Sequence, residues 1–218
     1  MSNLSNNLRS LYAMSMLAKR PDQVKYVFMI GDSQDEIAEG ARRRGGMTDP
    51  FDAPELERMW QERYCPARYD IGELARLDPG TLGGAYARHM IERGLKPDFY
   101  DDVPARHRMH YLRLRLRQTH DIWHVLSGYD TDQFGEVGLQ AFYFAQVTNG
   151  QSALICAAAL LKSVLRVRLD ELERFFEVLC EGYARGRRCE SLLAVKFEQF
   201  WGEPLEDVRA RLRIDPLR

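Results

Sequence analysis

The sequence lacks cysteine pairs, long apolar runs and net charge. Its four cysteines show no CxxC spacing, which argues against a zinc finger and a disulfide framework. The longest apolar stretch, residues 153–161, is far shorter than the roughly 20 residues that span a bilayer. Lys and Arg number 31 against 32 Asp and Glu, a balance that argues against nucleic acid as a partner. The first residues also lack the basic start and apolar run of a signal peptide, so we expect a reduced, cytoplasmic protein.

Apolar residues recur at helical spacing along almost the whole chain of 218 residues. Leu172, Phe175 and Leu179, for example, follow one another at intervals of three and four, whereas the period-two alternation of strands is scarce. Hydrophobic residues make up 45% of the chain, enough to build a core. We therefore predict an all-α, multi-helix, orthogonal or bundle-like single domain with eight to ten helices.

A stretch rich in Arg, Gly, Pro and Asp, residues 41–53, separates the first forty residues from the rest. We predict an N-terminal helical segment and linker over residues 1–70, and the main helical domain over residues 71–218. The N-terminal segment is too short to bury its own core, so it must pack on the rest, pair with a second subunit or lie on a membrane. Its apolar stripe consists of Leu4, Leu8, Leu11, Tyr12 and Met16.

Four of the five histidines lie within residues 107–124. His120 and His124 are four residues apart, so on a helix their imidazoles share one face, and Asp121 flanks that face. Arg113 and Arg117 precede them on the same polar stripe, which either lines a cleft or is plain solvated surface.

A helical hairpin would bring a fourth group to these side chains. Gly128 predicts the end of the first helix, and a second helix is predicted to begin near Asp132. In an antiparallel hairpin, Glu136 then faces His124 across the bend and closes the site. Two imidazoles with carboxylates are a ligand set for zinc and equally for non-haem iron.

The His-Asp pair is also compatible with an HD-type metal phosphohydrolase. That class needs a second metal-binding histidine and a downstream aspartate. His89, His107 and His110 form no clear second pair, which weakens this alternative and leaves it open.

The same segment resembles a known family, the fourth coenzyme Q (ubiquinone) biosynthesis protein family. HDIWH over residues 120–124, an eleven-residue spacer and Glu136 match the family's His-Asp-x-x-His-x11-Glu signature. DPGTLGGAYARHM over residues 78–90, LKPD over residues 95–98 and YLRLRLRQTHD from Tyr111 resemble further family segments. The closing stretch LLAVKFEQFWGEPLEDVRARLRI also resembles a family segment. In all, the resemblance covers about two thirds of the chain.

The resemblance implies an all-helical metal-binding domain that holds a divalent ion, with zinc expected and iron or magnesium as alternatives. Its ligands would be His120, Asp121, His124 and Glu136. The implied role is in ubiquinone biosynthesis: removal of the ring C1 carboxyl of a polyprenylated benzoate, with a hydroxyl installed at that carbon. The protein would then be a metal-dependent lyase similar to a polyprenylbenzoate decarboxylase. The alternative is a non-catalytic lipid-binding scaffold for the quinone biosynthetic enzymes.

The resemblance also implies roles for residues around the metal. Arg115 and Arg117 occupy the family's two arginine positions. The candidates to bind a substrate carboxylate or to orient a metal ligand are Arg117, Arg115 and Arg113. The isoprenoid tail needs an apolar channel, for which Phe142, Ala153 and Ala157 are candidates, although a close-packed core explains these residues equally well.

The implied partners are a polyprenylated benzoate or quinone intermediate and other ubiquinone biosynthesis proteins, with a homodimer as a further option. Such substrates partition into a bilayer, so we expect peripheral contact with the inner face of the membrane. The N-terminal apolar stripe and the arginines at residues 42–44 are its candidate surface.

Overall fold

The chain folds into helices that are joined mostly by short turns. The computed structural model describes residues 3–44, 49–66, 69–97, 105–166, 168, 170–215 and 217. In these ranges the helices α1 to α10 are, in chain order, Asn3–Lys19, Lys25–Arg43, Pro54–Gln61, Ile71–Leu74, Leu82–Glu92, Arg108–Ser127, Gln133–Gln146, Gly150–Leu165, Asp170–Arg188 and Leu205–Leu212.

Strand pairing in the described ranges is limited to one isolated antiparallel bridge between Thr81 and Pro204. The predicted all-α class is therefore confirmed. The last helix begins at Leu205, with Pro204 as its N-cap. None of the described helices is long and apolar enough to cross a membrane.

The core forms around α6, most of whose large apolar side chains are buried. Trp123, Ile122 and Leu126 are fully buried and belong to one cluster with side chains of α3, α5, α7 and the C-terminal segment. Trp123 packs edge-to-face on Phe142 and Tyr143 of α7, with ring centroids 5.8 and 4.5 Å apart. The predicted helix with the histidines is thus the central element of the fold.

Local signals fix both ends of the turn that joins α6 to α7. Gly128 ends α6 in the left-handed conformation, with φ of 80°, which costs a glycine little because it has no Cβ. Asp132 caps α7, since its carboxylate accepts a hydrogen bond from the backbone N–H of Gly135 at 2.7 Å. Both predicted boundaries are confirmed.

Two arginines from distant parts of the sequence bind the free carbonyl groups at the end of α6. Arg209 donates to the carbonyls of Leu126 and Val125 at 2.9 and 2.8 Å. Arg185 donates to the carbonyls of Ser127 and Asp215. The C-terminal end of a helix carries partial negative charge and unpaired carbonyls, so cations there stabilise it.

The N-terminal helices α1 and α2 pack against α8 and α6. Ala13, Leu17, Tyr26 and Ile30 form a second apolar cluster with Ala158 of α8. The N-terminal segment thus packs on the rest of the chain, which is the first of the three alternatives predicted from the sequence. The boundary at residue 70 stays a prediction.

The buried face of α1 is not its predicted apolar stripe. Leu4, Leu8 and Leu11 are 69%, 59% and 52% exposed. The face turned inward begins with Asn6 and Ser10 instead, and the Ser10 hydroxyl accepts a hydrogen bond from Gln34 of α2 at 2.9 Å. Because Gln34 of α2 satisfies the Ser10 hydroxyl, the more polar face of α1 can be buried while the leucines remain exposed.

Helix α2 is tied to α6 by charge. The buried Arg113 of α6 lies with its Nε 2.6 Å from a carboxylate oxygen of Asp35 and also pairs with Asp32. Helix α2 continues to Arg43, into the predicted linker, because Glu39 pairs with Arg42 and Arg43 at 2.8 and 2.9 Å.

The closest helix packing joins α7 and α9. Gly182 and Gly186 face the backbone of α7, where a Cβ atom would collide with the carbonyl oxygens of Gly138 and Phe142. Only glycine therefore fits at these two points of contact.

We predict that Gly182→Ala destabilises the protein by about 1–3 kcal/mol, because the added methyl group forces α7 and α9 apart and overpacks a tight contact. Urea unfolding followed by circular dichroism measures the change. The matched control is Gly202→Ala, whose added Cβ would meet no atom within 4 Å and should change stability little. Equal stability of the two variants would show that the α7–α9 contact is looser than this packing requires.

Candidate metal centre

The last turns of α6 and the first turn of α7 bring three of the predicted ligands together. His120, His124 and Glu136 each offer one donor atom, and these atoms lie within 4.8 Å of one another. The two Nε2 atoms are 3.2 Å apart. A carboxylate oxygen of Glu136 lies 3.2 Å from Nε2 of His124 and 3.8 Å from Nε2 of His120. A small cation placed among them would have three convergent donors.

Hydrogen bonds on the far side of each ring orient the histidines. Nδ1 of His124 lies 2.9 Å from the carbonyl oxygen of Tyr129, which can only accept, so Nδ1 donates this bond and Nε2 is the ring nitrogen that faces the cluster. Nδ1 of His120 lies 2.9 Å from the hydroxyl of Tyr143. A metal-binding histidine characteristically makes such a bond through its other ring nitrogen.

The charges of the cluster are strongly coupled. Burial raises the pKa of Glu136, but hydrogen bonds from His120 and His124 outweigh burial and hold this pKa well below its ordinary value. Burial lowers the pKa of His120, while the bond to Glu136 and its charge outweigh burial and raise this pKa. The carboxylate therefore stays ionised and stabilises a positive charge between the two rings, where a divalent cation has the same favourable position.

Asp121 is not part of the three-residue cluster. It is half-buried beside His120 and lines the same cavity. Among the described residues, this cluster is the one group of three or more metal-binding side chains. His107 and His110 lie near the start of α6, roughly 15 Å along the helix from His120, and do not supply the second metal site of an HD-type phosphohydrolase.

The cluster opens into a cavity of about 830 Å³. Its polar end holds His120, Asp121 and Glu136. Its other walls come from α1, α2, α6 and α8 and are largely apolar. The apolar lining residues include Leu17, Val27, Phe28, Leu116, Ile155 and Ala158.

The three predicted arginines have different surroundings. Arg117 lines the cavity, and its guanidinium lies 4.5 Å from the ring centroid of Phe28. Arg113 also lines the cavity, while its guanidinium binds the two carboxylates of α2. Arg115 is buried elsewhere: it donates to the carbonyl of Val195 at 3.0 Å and does not line the cavity.

The residues expected to form a tail channel lie outside this cavity. Phe142 is buried in the core. Ala153 and Ala157 line a separate apolar groove of about 350 Å³ between α7, α8 and α9. The opposite face of α8, with Ile155 and Ala158, borders the cavity of the histidines.

Sequence reasoning assigned no role to His89. Its buried ring lies 5.7 Å from the ring of His124 in a stacked arrangement. Burial, together with the charge of Arg93, lowers the pKa of His89 to about 4, so at neutral pH it packs as an uncharged ring. The sequence signal for a role of His89 is its place in the segment DPGTLGGAYARHM.

Comparisons with known proteins bear on this site. Residues 59–218 match the family described as coenzyme Q (ubiquinone) biosynthesis protein Coq4. The "Ubiquinone biosynthesis protein COQ4 homolog, mitochondrial" of Rattus norvegicus is 31% identical over 172 residues, which are 75% of this chain and 62% of the rat protein. The mitochondrial COQ4 of Lachancea thermotolerans is 31% identical over 153 residues, 67% of this chain and 45% of that protein.

The chain thus spans between about half and three fifths of the length of these curated relatives. A crystal structure gives a more complete match. A protein of Nostoc punctiforme PCC 73102, described as a candidate ubiquinone biosynthesis protein, superposes with a TM-score of 0.80 at 32% identity. The match covers 95% of this chain and 97% of the other, so the fold includes the N-terminal helices.

Proposed function

Because this chain belongs to the coenzyme Q (ubiquinone) biosynthesis Coq4 family, we propose that it binds one divalent cation and a polyprenylated aromatic intermediate and acts in decarboxylation and hydroxylation at ring C1, with dioxygen as the two-electron oxidant that replacing the carboxyl by a hydroxyl requires. Members of the family take part in ubiquinone biosynthesis. The observation that carries the proposal is the cluster of His120, His124 and Glu136 at the polar end of a large, mostly apolar cavity. One end suits an aromatic head group and the other an isoprenoid tail.

The proposed ligands are His120, His124 and Glu136, with Asp121 of the same cavity wall as the fourth. Zinc is the expected ion, since two imidazoles and carboxylates suit its tetrahedral coordination; iron and magnesium are alternatives. When bound, the ion would act as a Lewis acid toward a phenolic oxygen of the ring. Tyr129 and Tyr143 of this chain would orient the two imidazoles, and the apolar walls would exclude water from the site.

Arg117 is the proposed partner of the substrate carboxylate. It lines the cavity on the same helix as His120, one turn earlier. A guanidinium binds a planar carboxylate through two parallel N–H groups. Its packing on Phe28 holds the side chain against the cavity wall. For the tail, Val27 and Phe28 of α2 and Ile155 of α8 offer an apolar surface within the same cavity.

The metal content of purified protein tests the site. Elemental analysis should find about one equivalent in the wild type and a loss in His124→Ala and Glu136→Ala, because each removes a donor atom. Asp121→Asn should reduce the content if Asp121 is the fourth ligand. His110→Asn is the matched control, since it removes a histidine remote from the cluster and should retain the metal. Equal content in every variant would reject the site.

Complementation tests the function. In a strain that lacks its own family member, the wild-type chain should restore ubiquinone, while Glu136→Ala should fail and accumulate a polyprenylated benzoate that still carries the ring carboxyl. His110→Asn again serves as control. If Glu136→Ala restores ubiquinone as well as the wild type, the decarboxylation proposal is wrong. The scaffold alternative would then be favoured. If Glu136→Ala fails, release of carbon dioxide by purified protein distinguishes the enzyme from the scaffold.

Membrane contact is proposed through α1. Leu4, Leu8 and Leu11 form an exposed apolar face. Of the predicted arginines, Arg42 is held between Glu39 and Asp49. Only residues 43 and 44 of that group are exposed. A basic residue near an anionic bilayer contributes about 1 kcal/mol, so binding should be reversible and sensitive to salt.

The double variant Leu8→Ser/Leu11→Ser should co-sediment with anionic liposomes more weakly than the wild type, because it removes apolar area from the docking face. Binding of the wild type should fall as salt rises. Ile91→Ser, which changes an equally exposed apolar residue on α5, is the control. If the double variant binds as well as the wild type, α1 is not the docking surface.

A further inference from the structure

The outer face of α9 carries large apolar side chains that no described part of the chain covers. Phe176 and Tyr183 are 52% and 44% exposed, and Cys180 between them is exposed as well. The inner face of α9 is fixed on α7 through Gly182 and Gly186. The helix therefore presents its outer face in a defined orientation.

An apolar groove lies directly beside these aromatic residues. It has a volume of about 350 Å³, and its walls include Phe176 and Tyr183 of α9 and Ala153, Ala157 and Leu160 of α8. Small side chains on the α8 wall leave room for a ring that enters from outside. Exposed apolar surface next to such a groove is typical of an interaction site.

The charges along α9 are arranged with opposite signs at its two ends. Glu173, Cys180 and Arg187 follow one another at intervals of seven, so they lie on one line along the helix. Cys180 is the midpoint of this line. The first turn is acidic and the last is basic.

This arrangement is self-complementary. If two copies of α9 meet antiparallel with a two-fold axis at Cys180, Glu173 of each copy faces Arg187 of the other. The two ion pairs lie about 21 Å apart, given a rise of about 1.5 Å per residue. On the flank next to the groove, Phe176 of each copy faces Tyr183 of the other. In an isologous contact of this kind, the same patch serves both copies.

We propose that the α9 face is a dimer interface, in which a second copy of this chain packs antiparallel across Cys180. A bilayer fits this face less well, because Glu173, Glu177 and Glu181 would meet an anionic surface. Glu177 and Glu181 lie on the flank away from the groove, so the two copies meet along the aromatic flank. A single helix face with a groove is a small interface, and we expect a reversible dimer with a dissociation constant on the order of micromolar.

Cross-linking through the native cysteines tests the geometry. A short bismaleimide should link two copies of the full chain through Cys180, and Cys180→Ser should abolish the product. Cys65→Ser is the matched control, because Cys65 is the other exposed cysteine and lies outside the proposed interface. Loss of cross-linking in Cys65→Ser with retention in Cys180→Ser would overturn the proposal.

Charge reversal tests the pairing independently. Glu173→Arg and Arg187→Glu should each raise the dimer dissociation constant at least about tenfold in sedimentation velocity, because each creates two like-charge contacts. The double variant Glu173→Arg/Arg187→Glu should restore dimerisation, since the exchanged charges again face each other. Glu55→Arg, an exposed change on α3, should leave the dimer unchanged.

All of these residues are exposed, so failure to fold does not explain a negative result, and circular dichroism verifies the fold of each variant. A wild type that stays monomeric up to about 100 μM would overturn the proposal, as would a double variant no better than the single ones. If the chain stays monomeric while Phe176→Ser reduces liposome binding, the face contacts lipid instead. None of these measurements depends on the metal or on turnover.

Discussion

The hydrogen bond between Nδ1 of His124 and the carbonyl of Tyr129 is the contact on which the candidate site depends. It joins the last turn of α6 to the turn that follows, so it fixes the hairpin and the orientation of the imidazole together. With Nδ1 engaged, Nε2 must face Glu136, 3.2 Å away. A change that moved the turn would therefore displace the donor atom as well, because loop geometry and ligand orientation share one bond.

That turn is in its place because the rest of the core holds the end of α6. Arg185 from α9 and Arg209 from α10 bind the last carbonyls of the helix. Arg185 also lies over the ring of Tyr129, with its guanidinium 4.8 Å from the ring centroid. Two helices distant in sequence thus satisfy the polar groups that a helix end leaves free, and they do so beside the candidate ligands.

The sequence predicts the hairpin and three members of the cluster because their signals are local. A spacing of four on α6, a glycine after its last turn and an N-cap aspartate before α7 each act within a few residues. The cavity walls could not be predicted in this way. Val27 and Phe28 reach the site only because α2 packs across α6 and α8, and the inward side of α8 is set by that packing. Periodicity alone does not show which side of an apolar helix faces a ligand cavity.

The buried charges between α2 and α6 explain why the N-terminal helices matter to the site. Arg113 is buried, so its guanidinium depends on Asp32 and Asp35 for compensation. Removing one partner while the other charge stays buried costs about 3–5 kcal/mol. These ion pairs therefore hold α2 against α6, and the same contact places Phe28 against Arg117 at the cavity wall. The position of α2, and with it this wall of the candidate substrate site, depends on the ion pairs of Arg113 with Asp32 and Asp35.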